Sequence, residues 1–476
     1  MKKTLLSAVA IATLALPVTS HALDLMQAYD LALTNDPSYR AATKEFEAGD
    51  ANRIIGRSGL LPQVSASYSN ANNSSKINQP NTGIYTQNYP SNNGTIQITQ
   101  ALINLQAWAS AKQGYAQADM AKAKLVYNSQ DLLIRTLQTY TEVLNYQDQI
   151  EYLTTQRNAF KEQLTINERR LKAGDGTVTD VLETKASFEL AEVQLIEAKD
   201  NLANTKRRLE AMTGTTINSA ADIKKLSKSF KVANVLPAQF DDWKESALSN
   251  NAEIQATKHS EEVAHQEYKK QLTNNAPTLN AVASWNQQNS AYTSTISQQS
   301  NTSMIGVQAT WVLSNGGQTM GLMKQSFANW EKAQADTEVV QNRIVTELRK
   351  QYDAVVSSKQ KVASLERAVE SATELTKAMR KSVQAGERIS VDVLLADKTR
   401  ANAEKDLAQA KYAYLAAVLK LKQLAGNLNV QDLEQVATNF ERDPNAPKVT
   451  AQVPQQLADN ASVTVHELIL PDLLVK

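Results

Sequence analysis

The sequence predicts a mostly α, α+β fold: long α-helical coiled-coil hairpins in two copies, with four β-strands set between them. Three observations carry this reading. Residues 173–182 (AGDGTVTDVL) and 385–394 (AGERISVDVL) align on a gapless shift of 212, and the match continues through Ala191/Ala403, Leu195/Leu407 and Leu209/Leu421 to Gly214/Gly426. A unit that long is a duplicated domain, since solenoid repeats run ~20–50 residues. None of the eleven prolines lies between Ser91 and Leu236 or between Thr278 and Asp443, which leaves room for very long helices. Two stretches, beginning at Pro62 and Pro277, change instead to a period of two.

Taken in order, residues 1–22 read as a secretory signal peptide: Lys2 and Lys3, an apolar stretch over 4–16, and Ser20-His21-Ala22 before a mature start near Leu23. The first repeat spans 23–214. Leu25, Ala28, Tyr29, Ala32 and Leu33 give a short amphipathic helix, ended by Asn35-Asp36-Pro37, where Asp36 caps a second helix running to about Ser58. Val64, Ala66 and Tyr68 then alternate with polar residues, a polar loop follows to about Asn93, and Ile96, Ile98 and Leu102 alternate again. A helix over 105–172 would be roughly 100 Å long at 1.5 Å per residue. The turn at 173–176 reverses it, and residues 178–211 return about half the distance. The half-length helices on either side would stack end to end into a continuous partner for the long one.

Residues 215–238 form an inter-repeat, equatorial segment, and 239–438 repeat the order. Helices are expected over 240–250 and 251–275. Leu279, Ala281, Ala283 and Trp285 alternate on one strand, and Ile305, Val307, Ala309, Trp311 and Leu313 on another. The long helix then reaches about Val383. Its heptad places Phe327, Leu348, Val355, Val362 and Val369 at one position and Trp330, Ile344, Leu365, Ala372 and Met379 at the other, the pattern of coiled-coil packing. Residues 439–476 are rich in Pro, Gln and Asn and read as a disordered tail.

Composition excludes much chemistry. With Lys+Arg 50 against Asp+Glu 49 the chain has no charge footprint for nucleic acid. No cysteine means no disulfide, thiol nucleophile or Cys–zinc site. Four histidines, one of them in a His466-Glu467 pair lacking the second histidine of a zincin, suggest neither metal site nor cofactor. Nothing resembles a catalytic constellation, so an enzyme is not expected. No stretch after the signal is long and apolar enough for a spanning helix.

A membrane crossing would therefore have to use strands. Four strands cannot close a barrel, and lipid does not tolerate open edges. Three chains would supply twelve, above the minimum of eight. At this point the turns AGxxxxxDVL, the segment LLPQVSASY over 60–68, the opening DLMQAYDLALTNDPSYRAA and the export signal together resemble the TolC family, over almost the whole mature chain to about Val430. The resemblance implies a homotrimer in the outer membrane, with a shared 12-stranded β-barrel continuous with a periplasmic α-helical tunnel. It implies a passive exit duct for a tripartite efflux pump or type I secretion system, closed at its far end. The partners implied are a periplasmic adaptor (membrane fusion) protein and an inner-membrane RND or ABC transporter. The alternative is a periplasmic coiled-coil structural or adaptor protein, which would not need four alternating segments placed symmetrically between its helices.

The resemblance also nominates residues. Asp392, in the first turn of the second return helix, would form a ring of three carboxylates at the tunnel constriction; an acid there is also favoured simply by the helix dipole, by ~0.3–1 kcal/mol. The second acid that family members often carry one turn later is Leu395 here. Arg388 would latch the gate onto Thr179 or Asp180, although Asp180 also suits a capping box with Thr177. A tyrosine that often assists the latch is Val383 in this chain. Ala173, Gly174, Ala385 and Gly386 would form the turns where adaptor hairpins dock, while the two glycines also suit helix C-caps. Tyr68, Trp285 and Trp311 are candidates for aromatic girdles at the membrane interface.

Overall fold

A computed structural model describes residues 23–80, 83–217, 223–227, 230–233, 237–290 and 298–441. The signal segment and residues 442–476 of the expected tail lie outside the described residues. In the first repeat, α1 (Leu25–Asn35), α2 (Pro37–Asp50) and α3 (Asn52–Ser58) precede β1 (Gln63–Gln79) and β2 (Gly83–Ile103), then α4 (Leu105–Lys172) and α5 (Val178–Thr213). The second contains α6 (Phe240–Asn250), α7 (Ala252–Leu272), β3 (Thr278–Ser290), β4 (Gln298–Thr310), α8 (Gln318–Gln384) and α9 (Ser390–Leu424), and α10 (Val430–Ala437) follows.

The cap residues explain how the half-length helices stack. Asp36 accepts from the Tyr39 N–H at 2.7 Å, starting α2 where α1 ends, and Arg135 of α4 binds the same carboxylate at 3.2 Å. The Asn35 amide donates to the Thr213 carbonyl at 2.9 Å, joining this corner to the end of α5. Asn251 does both jobs in the second repeat: it caps α7 through the Ile254 N–H and donates to the Leu424 carbonyl at 2.9 Å. Each return helix is thus continued by the helices before the hairpin, as the stacking expectation required. The helices lie side by side in the order α2/α3, α4, α7, α8 toward the sheet, and α5, α4, α9, α8 toward the far turns. Gly56 and Gly114 let α3 and α4 cross with backbones nearly touching, since a Cβ on Gly114 would stand 2.3 Å from the Asn52 carbonyl oxygen.

The α8 heptad is real over most of its length. Thr337, Ile344, Leu348, Val355, Val362, Ala372 and Thr376 are buried, all on the two expected register positions. Nearer the sheet, Phe327 and Trp330 pack instead on Tyr268 and His265 of α7. The principal apolar core lies at the equator. There Leu132, Leu137, Tyr140 and Leu144 of α4 meet Leu209 of α5, Leu348 of α8 and Leu421 of α9. The Tyr140 hydroxyl lies 3.0 Å from the carbonyl oxygens of both Leu23 and Lys224, tying the segment before α1 and the residues between the repeats to the helix middle.

Four expectations need correction. The helix expected to run unbroken to Ser58 is interrupted at Ala51, which closes α2 and opens α3. The polar loop after Tyr68 is largely strand, with β1 and β2 paired in register from Gln63↔Thr99 to Gln79↔Gly83. Ladder hydrogen bonds use backbone alone, so a run of Asn, Ser and Thr forms strand without an apolar alternation to announce it. Trp311 and Leu313 lie just past the end of β4. Phe440, expected at the start of the disordered tail, is 3% exposed, bridges Leu226, and meets the Tyr140 ring edge to face at 5.5 Å. Burial against that ring outweighs the polar composition around it.

Candidate functional site

The far ends of the two helical hairpins hold most of the nominated residues. Both turns are built alike. The Asp175 N–H bonds the Arg170 carbonyl (2.9 Å) and the Gly174 N–H that of Leu171 (3.1 Å); Glu387 and Gly386 repeat this with Ser382 and Val383 at 2.9 and 3.1 Å. This is the Schellman pattern, and it puts Gly174 at φ +84° and Gly386 at φ +77°, a region costly for any side chain. Ala173 and Ala385 are the C-caps immediately before them.

The starts of the return helices differ. In α5 a capping box forms: Thr177 Oγ1 accepts from the Asp180 N–H at 3.1 Å, and Asp180 Oδ2 accepts from the Thr177 N–H at 3.3 Å. At the matching place in α9 the N-cap is Ile389, whose side chain cannot accept. Asp392, the counterpart of Asp180, sits 3.7 Å from Arg388 Nη1. Its side chain is only 28% exposed, while that of Arg388 is 56% exposed. Within the chain, then, Arg388 meets Asp392, Asp180 is engaged with Thr177, and Thr179 lies exposed in the first turn of α5.

Two features of this end were not anticipated. Asp397, five residues past Asp392, is gripped by Arg380 of α8 at 3.0 Å and by Arg400 at 3.3 Å, pinning α9 to α8. The spacing to Arg400 was visible in the sequence, but the reach to Arg380 across the hairpin was not. Val178, Leu182, Ile389 and Leu395 are apolar yet 51–60% exposed, which makes the end of the molecule sticky as well as charged. On the first hairpin, buried Asn167 of α4 donates to Thr184 Oγ1 at 2.9 Å and to the Asp180 carbonyl at 3.3 Å, so a polar bond holds α5 where apolar packing has run out.

Near the equator, Asp148 of α4 shows the cost of a carboxylate in that setting. Burial pushes its carboxyl up, and the Tyr412 hydroxyl at 3.0 Å and Lys225 at 3.8 Å oppose the shift only in part. Among the described residues no group of three or more His, Asp or Glu side chains is placed to hold a metal ion.

At the opposite end, the strands pair antiparallel in the order β1-β2-β3-β4, leaving β1 and β4 as edges. Register brings Val64, Ile98, Ala283 and Ile305 into one row, and Ala66, Ile96 and Trp285 into the next. Tyr68 stands opposite Gly94 on this same apolar face, its ring at ordinary contact distance from where a Cβ there would stand, 3.7 Å. The other face is uncharged and mostly polar: Ser65, Gln97 and Ser284 share a row that ends on Met304, and Val282 lies in the next. Trp285 is 42% exposed, Tyr68 72% and Trp311 66%, so the nominated aromatics stand free of the chain's own core. No helix among the described residues is long and apolar enough to cross a membrane.

The sequence pattern of the outer membrane efflux protein family matches residues 28–215 and again 243–427. The chain belongs to this family. Among curated relatives, the alkaline protease secretion protein AprF of Pseudomonas aeruginosa is 36% identical over 422 residues, covering 88% of each chain. The proteases secretion protein PrtF of Dickeya chrysanthemi is 33% identical over 90% of this chain and 93% of its own. The outer membrane protein TolC of Vibrio cholerae is 27% identical over 87% and 93%. In fold, the CmeC outer membrane channel of Campylobacter jejuni superimposes with a TM-score of 0.72 at 17% identity, covering 88% of this chain and 90% of that one. The expected membership of the TolC family holds, and as an outer membrane efflux protein the chain is part of an exit duct in the outer membrane. The periplasmic adaptor alternative is not favoured. These relatives are channel and secretion proteins rather than enzymes.

Proposed function

We propose that three copies close into a twelve-stranded barrel and a common helical tunnel, whose far end is a gate formed by the two turns of each chain. The observation that carries this is the open four-stranded sheet, apolar on one face, mostly polar on the other, and unpaired at both edges. In lipid such edges must be satisfied, and a closed ring of strands is the way to satisfy them. The helical layer points the same way: its α5 edge exposes Leu182, Leu190, Val193 and Ile196, and its α8 edge Val339, Val356 and Leu375. Tyr68, Trp285 and Trp311 would stand in the interfacial girdles.

At the gate, Asp392 would contribute one carboxylate per chain to a ring that favours cations, with Arg388 holding the ring closed through contacts to Thr179 or Asp180 across chains. The turns around Ala173, Gly174, Ala385 and Gly386 would receive the hairpins of a periplasmic adaptor that joins the duct to an inner-membrane transporter. Both relatives above 30% identity are named for protease secretion, which favours export of a protein by a type I system with an ABC transporter over small-molecule efflux by an RND pump. Single-channel conductance in a planar bilayer tests the core of this reading. Arg388→Ala is expected to raise a small, cation-preferring conductance, and Asp392→Ala to abolish the preference. A properly folded trimer that conducts nothing would overturn the duct, and a conductance indifferent to both substitutions would overturn the gate.

A further inference from the structure

The two helical hairpins of one chain are joined differently on either side of a single hydrogen bond. That bond runs from the Tyr412 hydroxyl of α9 to Asp148 Oδ2 of α4 at 3.0 Å. On its equatorial side the two helices share the main apolar cluster, through Leu137, Tyr140 and Leu144 of α4 and Leu415, Leu419 and Leu421 of α9. Toward the far turns, among the described residues, no apolar cluster takes in both helices. There Leu153 of α4, with Ile150 and Tyr152 beside it, packs on Leu195 and Ala198 of α5. Two lysines cross from α9 to α4 instead. Lys405 Nζ stands 4.9 Å from the centre of the Tyr152 ring, and Lys398 Nζ 4.8 Å from that of Phe160.

Spacing marks this as one face of α9. Val391, Lys398, Lys405, Tyr412 and Leu419 follow one another at seven residues, the repeat of a helix seam. Val391, Tyr412 and Leu419 are buried, so the lysines occupy places where the repeat calls for apolar side chains. Both lysines and both rings are half-buried, which strips water from the cation and strengthens its attraction to the ring. Carboxylates do not account for the crossing. The ion pair of Lys405, at 3.1 Å, is with Asp406 of its own helix, and Asp397 is held by Arg380 and Arg400. The first repeat has no equivalent, since the shift of 212 puts Ala186 and Val193 where Lys398 and Lys405 stand.

We infer that Lys398 and Lys405 are positioning residues of the duct. With their ammonium groups over Phe160 and Tyr152, they set where the second hairpin rests on the first, over the roughly 18 Å of α4 between Asp148 and Phe160. They must lift from the rings for the hairpins to part. The consequence for conductance rests on the gate proposed above, whereas the seam itself belongs to a single chain.

The chain has no cysteine, so Asp175→Cys and Glu387→Cys, both in exposed turns, place the only two thiols at the two hairpin ends. Spin labels there, with labelled chains diluted into unlabelled ones, give the distance between the ends within one chain by pulsed electron resonance. Circular dichroism checks that each variant is folded. One narrow distance is expected for the parent. Lys398→Gln with Lys405→Gln should broaden and lengthen it, and Phe160→Leu should do so to a smaller extent. Lys398→Arg with Lys405→Arg should keep it narrow, because a guanidinium also sits over a ring. Like behaviour of the glutamine and arginine pairs would overturn the positioning role, since the cation over the ring would then not matter. In a planar bilayer the glutamine pair should also raise the open fraction roughly tenfold, the loss expected for two such contacts. A broadened distance without that rise would overturn the gate at the far turns and leave the lysine seam standing.

Discussion

The equator and the far-turn end of this molecule are held together by different forces. At the equator, Leu132, Leu137, Tyr140, Leu348 and Leu421 are fully buried in one cluster to which eight helices contribute. At the far turns, cohesion comes from two Schellman turns, one capping box, the Asn167 bridge and the Arg380–Asp397–Arg400 clamp, while Val178, Leu182, Ile389 and Leu395 stand exposed. Apolar burial is non-directional and stabilises through area, whereas exposed polar bonds contribute little each and break one at a time. A duct that must stay assembled and yet open at one end gains from that division.

The comparison can be broken by substitution. The largest effect is expected at the equator, where Leu348→Ala should cost about 2–5 kcal/mol of global stability through lost burial and the cavity left behind. A shift in the denaturation midpoint would report it, and a loss below about 1 kcal/mol would mean the equatorial cluster is not the principal core. Gly174→Ala and Gly386→Ala should each cost about 1–2 kcal/mol, because both residues hold left-handed φ, and the loss should remain local to the last helical turn. Amide exchange of that turn would show it, and unequal losses would contradict the likeness of the two turns.

The asymmetry between the two return helices offers a finer cut. Thr177→Ala should cost about 1 kcal/mol of cap stability, whereas Ile389→Thr should gain a similar amount by completing a box with Asp392. Because the new box would draw Asp392 away from Arg388, the second variant should also alter conductance; a change in exchange rates without any change in conductance would dissociate capping from gating.

The smallest expected effect depends on pH. The Asp148 carboxyl is raised in the folded chain by burial, so in the window just above the ordinary carboxylate value the folded state keeps a proton the unfolded state has lost. Its contribution therefore makes stability fall as pH rises through that window. Asp148→Asn, which can still accept from Tyr412, should remove this part of the slope and leave the chain no less stable at neutral pH. Identical pH profiles for the two proteins would show that the buried carboxylate pays no penalty.

Much of this was legible along the chain because periodicity and punctuation are local. The 105–172 helix, the cap at Asp36 and the heptad through Leu348, Val355 and Val362 each follow from residues a few positions apart. The ribbon beyond Tyr68 was not legible, because a polar strand gives no alternation to read. Phe440 was missed because its partner, Tyr140, lies 300 residues away. Of the residues proposed for a gate, Asp392 and Arg388 could be named from the repeat and the family resemblance, but their pairing at 3.7 Å is seen only in the structure.

The sequence by itself determined the duplication, the order of elements, the helix lengths and the positions of both turns, since each is set by local propensity and by repetition along one chain. Only the tertiary structure decided which carboxylate caps a helix and which pairs with an arginine, which helices share the equatorial core, and how far the first hairpin stays paired. Those outcomes come from groups distant in sequence competing for the same partner, and that competition is resolved in space.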